Sequence, residues 1–354
     1  MAQKRVRVLV VDDSALVRGI LKAGLSTHPQ IEVVGVAADG REALRQISKL
    51  RPDVVTLDVE MPNMNGIAVL ERAVGKVPVS FVMVSTLTQS GARITFEALR
   101  KGAFDFITKP QAGGIAGMPD FRKEVQQKVL AAAKAKGVRR NIITGAGGGA
   151  PTLPPNKVRG WVVGIGSSAG GTQTLPKILP AFPSDFVPII ITHHMPPKFT
   201  TSFAQMLNSE CAMEVREAQH GDQLRLGVVF VAPGDFHLTL VRNGVHVRIK
   251  LDHGDKVSGH RGSVDVMFTS LARVCRNRCV GAVLTGMGSD GVDGIRVLNS
   301  AGARTVGQDE ETSLVYGMPK AAALTGCLDA IAPAAEIPRK IAAFLKSSPV
   351  TAAR

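Results

Sequence analysis

Two kinds of apolar pattern alternate along this chain. Val6-Arg7-Val8-Leu9-Val10-Val11 is a short, β-branched, nearly continuous apolar run, which predicts a strand buried on both faces of a parallel sheet. Behind it, Ala15 to Leu25 carries apolar residues at helical spacing. Ile31 to Ala37 then reads as a strand, and Arg41 to Leu50 as a helix stopped by Pro52. Val54 to Leu57 is a third strand ending at Asp58, and Val79 to Val84 a fourth ending at Ser85. Phe104 to Thr108 is a fifth, running into Lys109-Pro110, and a helix over Phe121 to Lys136 closes the unit. Strands alternating with helices predict a doubly wound, five-stranded parallel sheet. Such sheets hold their ligands at the carboxyl ends of the strands, where Asp12, Asp13, Asp58, Ser85 and Lys109 all fall.

The alternation stops at Gly137 to Lys157, which contains GAGGGAPTLPP. Glycine loosens this stretch and proline stiffens its exit, so it predicts a linker between a domain at 1–136 and another at 158–350. Beyond it the alternation resumes. Trp161 to Ile165, Val187 to Thr192, Val228 to Val231, Cys279 to Leu284 and Gly302 to Val306 read as strands, and His237 to Val247 as strand with a turn at Asn243-Gly244. A second doubly wound α/β sheet accounts for them.

Composition supports two domains, since 354 residues exceed one ordinary core. Aromatics are only 4%, so the cores must rest on Val, Ile, Leu and Ala. The net charge of +14 is uneven: residues 120–157 hold 8 basic and 2 acidic groups, against 15 and 11 before them and 20 and 16 after. That segment is either a solvated basic helix and linker or an attractor of acidic protein surface. No helix-turn-helix pattern follows the linker, which argues against specific nucleic-acid binding. No run of about 20 apolar residues suits a membrane. The N-terminus lacks the apolar stretch of a secretory signal, and the four cysteines lack zinc-finger spacing. A reducing, cytoplasmic location is expected.

Candidate chemistry sits in two places. In the first domain three carboxylates converge at strand ends, where they repel one another unless a cation lies among them. Mg²⁺ favours one or two carboxylates together with water and phosphate oxygens. Asp58, at its strand tip, is a natural phosphoryl acceptor. Lys109 supplies a point charge for the phosphoryl oxygens, and Ser85 a hydroxyl. Aspartates also cap helices, but capping explains them one at a time and not all five residues together. The segments LVVDDSALVR, VTLDVEMPNMNG, MVSTLT and FITKP resemble those of response-regulator receiver domains over about residues 5–130. The resemblance implies a flavodoxin-like fold and phosphorylation of Asp58 by a histidine kinase. It also implies Mg²⁺ held by Asp13, Asp58 and the carbonyl of Glu60 with Asp12 assisting, and switch roles for Ser85 and Phe106.

In the second domain Ile165-Gly166-Ser167-Ser168-Ala169-Gly170-Gly171 is a strand-to-helix turn that presents a serine among small neighbours. The helix that follows places a positive dipole end near any developing charge. Such a turn also suits a bound phosphate. His193-His194-Met195-Pro196-Pro197 supplies a base at another strand end, and the spacing does not choose between the two histidines. Asp290, in the loop Leu284-Thr285-Gly286-Met287-Gly288-Ser289-Asp290-Gly291, could orient that base or simply form an Asx turn. The segments IGSSAGG, ITHHMPPKFT, VAPGDFHLTL, LTGMGSDGVDGI and QDEETSLVYGMPKAA resemble the catalytic domain of the chemotaxis protein-glutamate methylesterase family, CheB, over about residues 158–347. The resemblance implies Ser168 as nucleophile, His194 as base, Asp290 as orienting acid and the Met287 N–H as oxyanion donor. It further implies hydrolysis of glutamate γ-methyl esters on methyl-accepting chemoreceptors, with deamidation of glutamine and no cofactor for the ester chemistry. Phosphorylation of the receiver would regulate receptor access. Ala169 stands where the family pattern has Thr, and Gly262 where it has Pro, which predicts a looser loop there. The remaining histidines, including His260, read as structural or surface residues.

Overall fold

A computed structural model of the chain describes residues 4–109, 118–135 and 160–346. The linker expected at 137–157 lies outside the described residues. The chain divides into two compact units, Met1–Arg140 and Asn141–Arg354.

The first unit runs β1 (Val6–Val11), α1 (Ala15–Ser26), β2 (Ile31–Ala37), α2 (Gly40–Leu50), β3 (Val54–Asp58), α3 (Gly66–Ala73), β4 (Ser80–Ser85), α4 (Gln89–Arg100), β5 (Asp105–Thr108) and α5 (Met118–Lys134). Its strands form one parallel sheet in the order β2-β1-β3-β4-β5. The continuous apolar runs are explained by burial, because Val8, Leu9, Val10, Val54, Val55, Leu57, Val82, Met83 and Val84 are sealed from solvent on both faces. Side chains at the helix starts satisfy backbone donors: Ser14 accepts from Val17 N, Asp39 from Glu42 N, Asn65 from Ala68 N and Thr88 from Gly91 N. Helices α3 and α4, for which the apolar pattern gave no expectation, complete the two layers over this sheet.

The second unit begins with β6 (Val162–Ser167), α6 (Gly171–Ile178), β7 (Ile189–His193), α7 (Phe199–Asn208), β8 (Glu214–Glu217) and β9 (Val228–Val231). A hairpin follows, β10 (His237–Asn243) and β11 (His246–Asp252), then α8 (Val264–Cys275), β12 (Cys279–Val283), α9 (Val292–Ser300), β13 (Arg304–Gln308), α10 (Met318–Ala323), β14 (Ala330–Ala332) and α11 (Ile337–Lys346). Seven of these strands make a sheet, ordered β14-β13-β12-β6-β7-β9-β8, in which each pair is parallel. The hairpin β10–β11 stays apart as a two-stranded antiparallel ribbon. The turn expected at Asn243-Gly244 falls at Gly244-Val245, between the paired Asn243 and His246, and the second arm runs on to Asp252. One face of the ribbon packs Leu238, Leu240 and Ile249 into the same core as Met267, Phe268 and Leu271 of α8.

This topology positions the site. The chain leaves β6 and winds outward through β7 and β9 on one side, then returns through β12, β13 and β14 on the other. The crevice where the winding reverses opens at the carboxyl ends of β12, β6 and β7. Among the described residues no helix is long and apolar enough to cross a membrane.

Candidate active site and phosphoryl-acceptor pocket

In the second unit parallel register brings the serine turn after β6 and the histidine pair after β7 to the same end of the sheet. Ser167 pairs with His193 as the last step of the β6–β7 ladder, and Ser168 and His194 are the residues that follow this pair in their two strands. His194 N donates to Ser167 O at 3.2 Å, and Ser168 N donates to Thr285 O at 3.0 Å, in the loop that follows β12. The Thr285 hydroxyl donates to Ala169 O at 2.9 Å. The serine turn is thus tied on both flanks. A Cβ at Gly286 would press on the Met318 side chain and come within 3.0 Å of Ser168 Cβ, so glycine lets this loop pack closely against the serine turn. Gly170, at φ +84°, turns the chain into α6.

The two histidines have separate partners. His193 is buried and its Nδ1 lies 2.9 Å from the Ser167 hydroxyl, with its ring against Phe203. His194 Nε2 lies 2.7 Å from Asp290 Oδ2. With Nε2 directed to the carboxylate, Nδ1 is the nitrogen left to accept a proton. That Nδ1 is buried and has no hydrogen-bond partner among the described residues. Ser168 is half-buried.

Asp290 is 3% exposed, yet it is built to stay ionised. Oδ1 accepts from the Ser263 hydroxyl at 2.7 Å and from Asp265 N at 3.0 Å, while Oδ2 also accepts from Val264 N at 2.8 Å. These donors are the cap and first turn of α8, a positive dipole end. Burial works against the charge, but His194 and these donors outweigh it and hold the carboxyl below the usual range. Neighbouring Asp265 is pushed the other way by burial, with Gly294 N–H opposing and the Asp290 charge adding to the rise. Met287 lies half-buried between Gly286 and Gly288 in the same loop.

Ser263 and His260 escaped the sequence reading. Ser263 is the N-cap of α8 and stands just before an apolar helical run, a pattern that could have marked it. His260, read as structural or surface, instead stacks on His194 with ring centroids 3.6 Å apart. The loop expected to be looser at Gly262 has a definite reason for its glycine: φ is +88°, a conformation closed to proline.

In the first unit Asp12, Asp13 and Asp58 bring one carboxylate oxygen each within 4.8 Å of one another. Lys109 Nζ lies 2.7 Å from Asp58 Oδ2 and 3.0 Å from Asp12 Oδ2. Glu60 N donates to Asp58 Oδ1 at 3.3 Å. Burial, opposed by the Lys109 hydrogen bond and assisted by the Asp12 charge, pushes Asp58 up to about 6. Burial raises Asp12 as well, against the pull of Lys109. This pocket holds more negative charge than one lysine can balance, so its donor set fits a hard divalent cation. Asp13, Val59, Glu60, Met61, Asn65 and Ile94 line a cavity of about 440 Å³ beside it. Ser85 is buried, its hydroxyl donating to Gly91 O at 3.3 Å. Phe106 is buried edge-on to Phe96, with ring centroids 6.3 Å apart.

One parallel sheet with an acid pocket and another presenting serine, histidine and aspartate are the make-up of a response regulator joined to a hydrolase. The chain matches the family model for the response regulator receiver domain over residues 8–114 and the model for CheB methylesterase over residues 163–341. It is 43% identical to a protein-glutamate methylesterase/protein-glutamine glutaminase of Sulfurimonas denitrificans, over 96% of this chain and 98% of that protein. It is 47% identical to another of that description from Caulobacter vibrioides, over 92% of this chain and 94% of the relative. The crystal structure of the Thermotoga maritima CheB methylesterase catalytic domain superposes with a TM-score of 0.52 at 39% identity, covering 52% of this chain and 99% of that one. The chain belongs to the CheB methylesterase family.

Proposed function

We propose that this protein is a phosphorylation-controlled protein-glutamate methylesterase that also deamidates protein glutamine and acts in chemosensory adaptation. The observation that carries the reading is His194, bound at Nε2 to the buried Asp290 and left with a buried Nδ1 that has no hydrogen-bond partner among the described residues. Ser168 attacks the γ-carbonyl of a methylated glutamate while His194 Nδ1 takes its proton. Asp290 fixes the histidine tautomer and stabilises the imidazolium. The oxyanion is held by backbone N–H groups of the Gly286–Gly288 loop, that of Met287 among them. His194 returns its proton to the departing methanol, then activates the water that clears the acyl-serine. The same steps release ammonia from glutamine, because both are acyl transfers from a γ-carbonyl.

The substrates under this reading are methyl-accepting chemoreceptors, and the phosphodonor is a chemotaxis histidine kinase. Asp58 accepts the phosphoryl group, Lys109 pairs with its oxygens, and Ser85 and Phe106 carry the switch. Asp12, Asp13, Asp58 and the Glu60 carbonyl would hold Mg²⁺, which neutralises charge as the phosphoryl group arrives. The domains divide at a linker over 137–157, and the enzyme works in the cytoplasm.

The test is methanol release from methylated receptor by wild type, Ser168→Ala and Asp58→Asn, each with and without a small-molecule phosphodonor. The expected result is release stimulated by the phosphodonor in wild type, none in Ser168→Ala, and no stimulation in Asp58→Asn. Release that persists in Ser168→Ala would assign the chemistry to another group.

A further inference from the structure

His260 touches the reacting machinery without belonging to it. It lies in the loop between β11 and α8, and its imidazole rests flat on that of His194, with the ring planes 11° apart and the centroids separated by 3.6 Å. The loop that presents it is rigidly made. Val257 and His260 exchange both backbone hydrogen bonds at 2.9 Å. Between them Ser258 and Gly259 take φ values of +54° and +83°. That is a two-residue turn with both central residues left-handed, the tightest reversal available to a hairpin. The Ser258 hydroxyl donates to Asp265 Oδ2 at 3.0 Å, and Asp265 N in turn donates to Asp290 Oδ1 at 3.0 Å. The turn that carries His260 and the acid that grips His194 are therefore anchored to the same first turn of α8.

A single hydrogen bond to Asp290 fixes one edge of the His194 ring but leaves it free to tilt about that contact. A second ring lying flat on its face removes the tilt. It also keeps water off that face and sets an aromatic surface against the imidazolium that forms when Ser168 is deprotonated. Resting on the reading of Ser168, His194 and Asp290 given above, we propose that His260 is a positioning residue for ester hydrolysis, holding the plane of the His194 ring by stacking so that Nδ1 stays aligned with the Ser168 hydroxyl. Its aromatic face, and not a proton on it, performs this role.

The experiment uses the full chain activated with a small-molecule phosphodonor and compares wild type, His260→Ala, His260→Phe and Ser168→Ala. It measures methanol release from methylated receptor, the rate of Ser168 labelling by a fluorophosphonate probe, and thermal unfolding. Loss of alignment by a fraction of an ångström to about 1 Å can cost up to about 100-fold. His260→Ala is accordingly expected to lower kcat by about 10- to 100-fold with KM within about twofold, and to slow serine labelling in parallel. His260→Phe keeps a flat ring without a titrating nitrogen, and is expected to recover kcat to within about threefold of wild type. Unchanged kcat in a folded His260→Ala overturns the proposal. So does a His260→Phe protein that melts as wild type does yet is as slow as His260→Ala, because an imidazole nitrogen would then be the active part. Release that survives in Ser168→Ala is a failure of the triad reading instead, and is separated from these outcomes by that variant alone.

Discussion

Asp58 and Asp290 are two buried aspartates, 1% and 3% exposed, each at the carboxyl end of a parallel sheet, and their environments push them in opposite directions. Asp290 is ringed by donors: a hydroxyl, two backbone N–H groups and an imidazole converge on its two oxygens. Asp58 has one lysine and one backbone N–H, with a second buried carboxylate beside it. The first is held below the usual carboxylate range and the second rises to about 6. Burial is common to both, so it does not decide the outcome; the number of donors does. A fully satisfied carboxylate is finished and can serve as a fixed negative charge. An unsatisfied one seeks a cation and a ligand, as a switch requires.

The largest expected effect comes from breaking the satisfied side. Asp290→Asn keeps the shape but presents the wrong group to His194, and kcat should fall about 10⁴-fold in single-turnover methanol release. The adjacent histidines sharpen the same point. His194→Gln should be as slow as Asp290→Asn, whereas His193→Gln should act mainly on stability, because its ring is committed to Ser167 and Phe203. Denaturant midpoints and kcat measured on both variants separate the two histidines.

The unsatisfied side should respond with opposite sign. A carboxyl raised in the fold disfavours folding once it ionises. Its cost is absent below the ordinary carboxylate value near 4 and complete above about 6. Asp58→Asn should therefore stabilise the metal-free protein at pH 7.5 by about 1–3 kcal/mol, a gain that vanishes near pH 4. Mg²⁺ should raise the melting temperature of wild type and leave that variant unmoved. Asp290 behaves inversely. Its stabilisation is complete above the ordinary carboxylate value and is lost only as pH falls through its lower, folded value. The smallest effect belongs to the cap. Ser263→Ala removes one of the donors on Asp290 and the N-cap of α8, and should cost about 1–2 kcal/mol in urea unfolding.

The first carboxylate pocket was legible in the chain because Asp12, Asp13 and Asp58 stand at the tips of apolar runs, whereas Asp290, in a loop well past β12, was left open by position and entered only through the resemblance. The strands β1, β2 and β9 fall where their apolar runs put them. The short strands β8 and β14 left no such trace, since each is an outermost strand with few buried residues. Helix α3 is short and begins at a glycine, so its period had little length to show. The choice between His193 and His194 could not be read from spacing, because adjacent residues at a strand end point to opposite faces. What tells the two histidines apart is their partners, Ser167 for His193 and Asp290 for His194, and those contacts lie across the fold and not along the chain. His260 was missed for a related reason. A turn far along the chain brings it onto the ring it covers, and no local pattern reports that.

The placement of the three site residues in the loops that follow β6, β7 and β12 has a consequence for synthesis. His194 and Asp290 are 96 residues apart, and Ser168 precedes both. A growing chain therefore carries Ser168 long before Asp290 has been made. Pairing distant strands in a parallel sheet is slow, because the loop between them must close first. An unfinished or interrupted chain consequently carries Ser168 and His194 without Asp290, and the three side chains can assemble only once translation has passed β12.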